Sequence, residues 1–168
     1  MVRLKRVLRQ LFTPHWAWKR AFPQATLDTI EAAIRTSERH HAGEIRFVIE
    51  NSLPLRLAWG GTSGRVRALE LFSVLRVWDT EANSGVLIYL LLADRDIEIV
   101  ADRGIAARVV RAEWEAIARS MESAFRQGDF ARGALAGIAA VNALLALHCP
   151  PPAHNRNELD DRPLILGR

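Results

Sequence analysis

Acidic and amide side chains lie at the ends of two segments that the sequence predicts as β-strands. Residues 85–93 are apolar throughout, and residues 96–101 alternate between apolar and polar positions. The side chains at the ends of these segments are Asp79, Glu81, Asn83 and Asp102. Carboxylate and amide oxygens are the ligands that calcium and magnesium prefer in proteins. The sequence therefore predicts a site for a hard divalent cation where these ends meet.

Two histidines and a glutamate lie around the start of an earlier predicted strand, at residues 44–50. His40 and His41 end the preceding helix, and Glu44 opens the strand. An imidazole ligand shifts the preference of such a site towards manganese or zinc. The predicted metal ligands are Asp79, Asn83, Asp102, Glu44 and His41 in the first rank, with Glu81 and Asp94 in the second. The expected cofactor is a divalent cation: calcium, magnesium or manganese, with zinc behind them.

Arg103 gives the same residues a second chemical interpretation. A bound cation polarises a phosphoryl oxygen and activates water, and a guanidinium beside it clamps the phosphate group. No nucleophile stands out in the sequence, so the catalytic residues stay unknown apart from this candidate clamp. In a third interpretation no ligand binds, because Asp79 and Asn83 cap turns and Glu44 pairs with Arg103. The sequence therefore leaves open whether the chain is an enzyme.

The periodicity of apolar residues predicts an α/β framework for these side chains. Residues 44–50 alternate like a strand with one buried face. The predicted helices span residues 24–41, 63–77, 105–127 and 130–147. A strand-helix-strand connection makes the first two strands parallel, and the short Asp94-Arg95 turn makes the third antiparallel to the second. The expected fold is a three-layer α/β/α sandwich around a small mixed sheet.

These strand directions bring three chain positions to one end of the sheet. They are the start of the first strand, the start of the second and the end of the third, where the first-rank ligands lie. A two-residue turn would place Ala93 opposite Asp96. Asp94 then falls at the opposite end of the sheet, which is the reason for its second rank.

The net charge of +4 is concentrated near the N-terminus. Residues 1–23 contain six basic residues and no acid, residues 24–148 contain 14 arginines and 16 acids, and residues 149–168 contain three of each. We therefore expect a basic arm over 1–23, an α/β domain over 24–148, and a Pro-rich, disordered tail over 149–168. A domain body without a basic excess argues against nucleic acid as a partner.

The basic arm combines an amphipathic helical pattern with two tryptophans. Its apolar positions, at helical spacing, are Leu4, Val7, Leu8 and Leu11. The residues predicted to contact a membrane surface or a membrane-protein partner are Arg3, Lys5, Arg6, Arg9, Trp16 and Trp18. Basic amphipathic helices of this kind lie on anionic membrane surfaces. In the alternative, the helix docks on the domain through its leucines.

Cysteine content and hydropathy indicate the cellular compartment in which the protein is expected. The single cysteine, Cys149, excludes an intramolecular disulfide and fits a reducing compartment. The N-terminal residues lack the pattern of a secretory signal. The longest apolar stretch has 14 residues, at 134–147, whereas a membrane span needs roughly 20. We expect a cytoplasmic protein, with peripheral attachment to the inner membrane through the arm.

Several short motifs follow one another along residues 24–148. They are Glu38-x-x-His41-x-Gly43-Glu44-Ile45, Ala68-x-x-x-Phe72, Asn83-x-Gly85-Val86-Leu87-Ile88, Ala93-Asp94-Arg95 with Glu98-Ile99, and Gly128-x-Phe130-x-x-Gly133. In this order they resemble the TPM domain. That family is named after a thylakoid lumen protein, a photosystem II repair protein and a nematode receptor modulator. The strand that begins at Asn83 is the most specific part of the resemblance.

The resemblance implies a small α/β/α sandwich around a mixed sheet. Some members are similar to acid phosphatases in activity, and some bind a divalent metal through acidic residues near the sheet ends. The matching positions here are Asp79, Asn83, Asp94 and Asp102. Many members are tied to the repair or quality control of membrane complexes, and this chain resembles a short cytoplasmic bacterial branch. We expect a metal-modulated binding or quality-control module near the inner membrane, with a metal-assisted acid phosphatase as the alternative.

Overall fold

The computed structural model describes residues 2–151 and 156–167, and their side chains from residue 4 onward. Its strands are β1 (Glu44–Glu50), β2 (Gly85–Leu91), β3 (Asp96–Ala101) and β4 (Leu164–Leu166). They form one sheet in the order β3-β2-β1-β4. β1 is parallel to β2 and β4, and β3 is antiparallel to β2. The predicted mixed sheet is confirmed, and β4 is an addition that the sequence did not predict.

Helices cover both faces of this sheet. They are α1 (Val2–Phe12), α2 (Ala17–Ala21), α3 (Gln24–Ser37), α4 (Leu55–Gly60), α5 (Gly64–Val74), α6 (Arg103–Ala106), α7 (Arg111–Arg126) and α8 (Phe130–His148). Because side chains alternate along a strand, Phe47 and Ile88 enter a core with α3, α7 and α8. Val48 and Leu87 enter a second core with α1, α4 and α5 on the opposite face. The three-layer α/β/α sandwich is therefore confirmed.

The turn between β2 and β3 is longer than the expected two residues. Leu91 pairs with Asp96, and the Asp102 N–H donates to the Gly85 carbonyl at 2.8 Å. The chain continues beyond β2 while it still donates hydrogen bonds to the end of β1, and then turns at Arg95 with φ 52°. The register is shifted by two residues, so every side chain keeps its predicted face.

The described part of the C-terminal tail lies against the domain, which differs from the expectation of disorder. Ile165 pairs with Ile49 of β1 and is 7% exposed. The Asn51 N–H donates to the Leu166 carbonyl at 3.0 Å, and Arg46 Nη1 donates to the Arg162 carbonyl at 2.7 Å. The sequence did not predict this strand for two reasons. The tail around it is polar and Pro-rich, and a three-residue segment carries almost no periodic signal.

Helix α8 contains the longest apolar stretch of the chain. Its 19 residues are long and apolar enough to cross a membrane by length and composition. Its side chains Ile138, Val141 and Leu145 are buried, and the helix packs against α3 and α7. A core helix of a soluble protein meets the same length and composition criterion.

Candidate functional site

The start of β2 and the end of β3 meet at one corner of the sheet, which contains Asn83, Asp102 and Arg103. Asn83 has a left-handed conformation with φ 50°, and its Oδ1 accepts a hydrogen bond from Arg103 Nε at 3.1 Å. The Gly104 N–H donates to the Asn83 carbonyl at 3.0 Å. A Cβ at position 104 would come within 2.5 Å of that oxygen, so the close approach requires glycine.

Asp102 is the buried acid of this corner. Its Oδ1 accepts the Arg103 N–H at 2.7 Å and so caps α6. The residue is 7% exposed, and its Oδ2 has no donor among the described residues. The corner thus holds one buried carboxylate oxygen that is open to a further interaction.

Asp79 and Glu81 lie at the surface, in the loop before β2. Asp79 forms an ion pair with Arg76. The Glu81 backbone N–H donates to the Glu158 carboxylate, with distances of 3.0 and 3.1 Å to its two oxygens. Asp79 is thus paired with an arginine, as is the Asn83 amide oxygen, so two of the predicted cation ligands already bind guanidinium groups.

Glu44 and His41 are buried beside the start of β1. Glu44 Oε2 accepts the Leu159 N–H at 3.0 Å. Burial raises the pKa of Glu44 to about 7, and the hydrogen bonds from the tail backbone offset only part of that effect. The His41 Nδ1 accepts the Gly43 N–H at 3.1 Å, and burial lowers the pKa of this imidazole. Both groups are therefore held away from their ordinary ionisation range.

Two acids outside the predicted set complete a buried group that we name the carboxylate cluster: Glu38, Glu44 and Asp161. Glu38 Oε1 accepts the Ile45 N–H at 2.8 Å. Burial, followed by the negative charge of Glu44, raises the pKa of Glu38 to about 9. Asp161 accepts hydrogen bonds from Arg35 Nε at 3.1 Å and from Asn157 at 2.9 Å. Glu38 is therefore protonated at neutral pH.

A cleft of about 190 Å³ opens beside the carboxylate cluster. It is lined by Arg35, Glu38, Arg39, Glu44 and Asn157. A protonated carboxyl can donate a hydrogen bond or a proton, and guanidinium groups bind anions. Glu38 could have been identified as a candidate site residue from the sequence, because it lies three residues before His41. Asp161 gave no signal, because it belongs to the segment expected to be disordered.

The predicted metal ligands lie in separate places. Asn83 and Asp102 lie at the corner, Glu44 and His41 are buried beside β1, and Asp94 lies at the opposite end of the sheet. Within residues 4–151 and 156–167, no group of three or more His, Cys, Asp or Glu side chains is arranged to hold a metal ion. The described residues therefore do not fit a preformed divalent-cation site, and the metal-ligand assignment stays a prediction.

Helix α1 docks on the domain through its charged side. Arg6 Nε and Arg9 Nε donate to the Asp94 carboxylate at 2.7 and 3.0 Å. The Asp94 side chain is 7% exposed, whereas the Arg6 and Arg9 side chains are 23% and 54% exposed, so the acid is shielded from solvent but the Arg9 guanidinium is not. Val7 and Gln10 lie on the same side of the helix and are buried. The contact is therefore built from charge and amide groups together with a single valine.

The apolar side of α1 faces solvent. We name this surface the outward face; it comprises Leu4, Leu8, Leu11 and Phe12, which are 56%, 41%, 54% and 79% exposed. Lys5 is exposed beside it. The hypothesis that the helix docks through its leucines is therefore wrong. Arg6 and Arg9 outcompete them, because Asp94 offers a buried charge that needs partners.

The two tryptophans of the arm have different environments. Trp16 is 50% exposed, whereas Trp18 packs against the core. The Lys19 Nζ lies 5.6 Å from the centroid of the Trp18 ring, in a cation–π arrangement. The side chain of Arg3 lies outside the described residues. Of the predicted contact residues, Lys5, Arg9 and Trp16 are exposed, and Arg9 is already bound to Asp94.

Comparison with known proteins agrees with this architecture. The TPM phosphatase family model, described as the TPM domain, matches residues 19–144. The chain belongs to the TPM family. This TPM-family chain is similar to the BA42 protein of the psychrophilic bacterium Bizionia argentinensis, with 28% identity and a TM-score of 0.73 over 84% of this chain and 92% of that one. It shares its fold with the N-terminal domain of a P. gingivalis protein, at 20% identity and a TM-score of 0.61, over 86% and 97% of the two chains. No curated protein gives a significant match.

Proposed function

We propose that this TPM-family chain is a non-catalytic binding module that lies on a membrane surface through α1. The observation that supports the proposal is the outward face, which presents four apolar side chains to solvent on a helix whose opposite side is docked on the domain. Contiguous exposed apolar residues with a charged rim typically mark interaction sites. A bilayer interface suits such a helix, because its apolar side enters the acyl boundary while its charged side stays among headgroups.

The surface around α1 extends this apolar area. Helix α4 packs beside α1, and its Leu55 and Trp59 are 51% and 69% exposed. Tryptophan is enriched at membrane interfaces, where the ring meets the acyl boundary and the indole N–H meets water. Two neighbouring helices thus contribute to one surface that suits a bilayer.

The docking of α1 changes the expected mode of lipid binding. Arg6 and Arg9 bind Asp94, so they are occupied within the protein. Burial of the outward face then drives binding, and attraction to anionic headgroups is secondary. We expect binding to neutral vesicles, with a weaker dependence on salt than a polybasic arm would show.

Sedimentation of the full chain with vesicles tests this proposal. The vesicles contain phosphatidylcholine alone, or phosphatidylcholine with phosphatidylglycerol. We expect the Leu8→Gln/Phe12→Gln double variant to lose most of the bound fraction, because two exposed apolar side chains no longer enter the lipid. Each buried methylene contributes about 0.8 kcal/mol, so the effect on partitioning is at least tenfold.

The matched control is Val74→Gln/Leu147→Gln, two apolar residues on other helices that are 68% and 74% exposed. These substitutions remove similar exposed apolar area outside α1, so vesicle binding should be unchanged. Equal binding by wild type and by the Leu8/Phe12 variant would end the proposal. Equal losses in both double variants would also contradict it, because they would indicate nonspecific adhesion.

Hydrolysis of phosphate esters is the second candidate function. It is favoured by the family name and by Arg103, whose guanidinium lies at the corner that contains the buried Asp102 oxygen. The test is turnover of p-nitrophenyl phosphate, with and without added divalent cations, by wild type and by Arg103→Gln. The same residual rate in both proteins would assign the activity to contamination.

A further inference from the structure

One set of backbone groups in β3 lies at the free edge of the sheet. The bond from the Asp102 N–H to the Gly85 carbonyl fixes which residues of this antiparallel pair exchange hydrogen bonds. The residues of β3 that bond to β2 are Asp96, Glu98 and Val100. The residues whose N–H and C=O groups point away from the sheet are Ile97, Ile99 and Ala101.

Two charged side chains occupy part of this edge. Arg65 Nη1 donates to the Ile99 carbonyl at 2.8 Å, and Glu122 Oε1 lies 3.5 Å from the Ile97 nitrogen. They take the places that the amide and carbonyl of a neighbouring strand would fill. Proteins commonly protect an edge strand with such groups. This protection is replaceable, because the Arg65 side chain is 47% exposed and the Glu122 contact is at the limit of a hydrogen bond.

A cleft of about 430 Å³ runs along the same edge, with β3 on one side and α7 on the other. Trp114 of α7 lines this cleft and is 7% exposed. Its indole Nε1 has no acceptor among the described residues. A buried N–H without an acceptor is costly. The cleft therefore combines outward backbone groups with a buried donor that lacks a partner.

We propose that this cleft binds an extended peptide segment of a partner protein, which adds to β3 as a fifth strand. The peptide backbone takes over the bonds to Ile97 and Ile99 from the two charged side chains, and a peptide acceptor meets the Trp114 N–H. This is the β-augmentation mode of recognition, in which main-chain bonds give affinity and side-chain pockets give specificity. The inference does not depend on the membrane proposal, since the cleft and the outward face share no residue.

The lining of the cleft indicates the chemistry of the peptide. Val109, Trp114 and Ala118 form an apolar wall, which suits a β-branched or aromatic side chain. Asp96 and Glu122 bring two carboxylates to the other end of the edge. Glu122 pairs with Arg126 at 2.8 Å, whereas Asp96 forms no ion pair among the described residues. Burial, followed by the charge of Glu122, raises the pKa of Asp96. A lysine or arginine of the peptide would pair with Asp96.

A second copy of the chain suits the edge less well. In antiparallel pairing of β3 with β3, both copies of α7 would stand on the same face of the joined sheet. Because α7 packs over β3 and walls the cleft, the two helices would meet before the strands could pair. A single extended segment without a helix on its flank avoids this clash.

Selection from a displayed library of random ten-residue peptides on the full chain tests the proposal. The strongest selected peptide is then the probe in titrations. We expect binding to increase severalfold in Arg65→Ala, since a competing side chain is removed, and to stay unchanged in the control Arg132→Ala, at an exposed arginine of α8 outside the cleft. Trp114→Phe keeps an aromatic side chain but loses the N–H donor, and should bind the peptide several times more weakly. Ile99→Pro removes an outward N–H and should weaken binding about tenfold.

Amide exchange and chain self-association decide between the outcomes. Slower exchange of the Ile97 and Ala101 amides with peptide bound supports the fifth strand, and it does so even if Ile99→Pro does not fold. A selected peptide that leaves these amides unprotected and binds equally to Arg65→Ala overturns the inference. Dimerisation of the wild type that Ile99→Pro abolishes, without any selected peptide, overturns it in favour of a second copy.

Discussion

Single side chains in this protein carry charge states that their position in the fold imposes. Glu38 is 6% exposed, and burial beside Glu44 raises its pKa to about 9. The folded state therefore retains a proton that the unfolded chain releases above its ordinary pKa of 4.5. Since the native state binds more protons in this range, stability falls as pH rises from that value towards about 9. Glu44, with a pKa of about 7, contributes in the same direction.

The Glu38→Gln variant should remove a large part of this pH dependence. Glutamine cannot ionise, and its Oε1 can still accept the Ile45 N–H. We expect wild type and variant to have similar melting temperatures near pH 5, and the variant to be the more stable protein near pH 9, because a shift of one pKa unit corresponds to about 1.4 kcal/mol. Calorimetry across this range measures the difference, with the exposed Glu113→Gln as the control. Parallel curves for Glu38→Gln and wild type would contradict the buried, protonated state.

At the scale of elements, the sequence predicted β1, β2 and β3 and their relative directions, but it did not predict β4 or how α1 is oriented. The segment at residues 85–93 is long, apolar and bounded by polar residues, so its local pattern was sufficient to predict a strand. The leucines of α1 give an equally regular pattern, which conventionally points inwards. The orientation instead depends on Asp94, more than 80 positions away from its partners Arg6 and Arg9. A contact of that range leaves no periodic trace.

Asp94→Asn should release α1 from the domain. The substitution removes the charge that holds two guanidinium groups, and it leaves Arg6 partly buried beside a neutral amide. Hydrogen bonds to charged groups contribute about 1.5–3 kcal/mol each, so we expect a loss of about 2 kcal/mol in the free energy of unfolding. Faster amide exchange confined to α1 would locate the effect.

The control for this prediction is Asp79→Asn, which breaks the ion pair with Arg76 on the surface. An exposed ion pair contributes only about 0.2–1 kcal/mol. Equal stability losses in the two variants, or unchanged exchange in α1 of Asp94→Asn, would show that the ion pairs of Asp94 do not hold the helix.

At the scale of the whole molecule, the turn after α1 and strand β4 meet at the C-terminal end of β1. The Asn51 N–H donates to the Leu166 carbonyl at 3.0 Å, and its side-chain amide donates to the Pro14 carbonyl at 3.1 Å. Residues 156–161 also cover the carboxylate cluster through Leu159, Asp161 and Asn157. This closure could not be read from the sequence, because it joins a three-residue strand and a turn, which are too short to carry a periodic signal. The corner that contains Asn83 and Asp102 could be predicted from the sequence, because the strand directions alone bring these two residues to one end of the sheet.

The C-terminal strand should therefore unfold with the domain and not as an independent tail. Ile165 is 7% exposed and belongs to the core shared by α3, α7 and α8. Replacement of a buried isoleucine by alanine removes three carbon atoms from such a core and leaves a cavity, at a cost of about 2–4 kcal/mol. We expect Ile165→Ala to lower the urea midpoint of a single transition seen by both circular dichroism and tryptophan fluorescence. Leu147→Ala, at a residue that is 74% exposed, serves as the control and should change stability by about 0.5 kcal/mol or less. A wild-type midpoint in Ile165→Ala would mean that β4 contributes nothing to the fold, and the pairing with β1 would then have no energetic role.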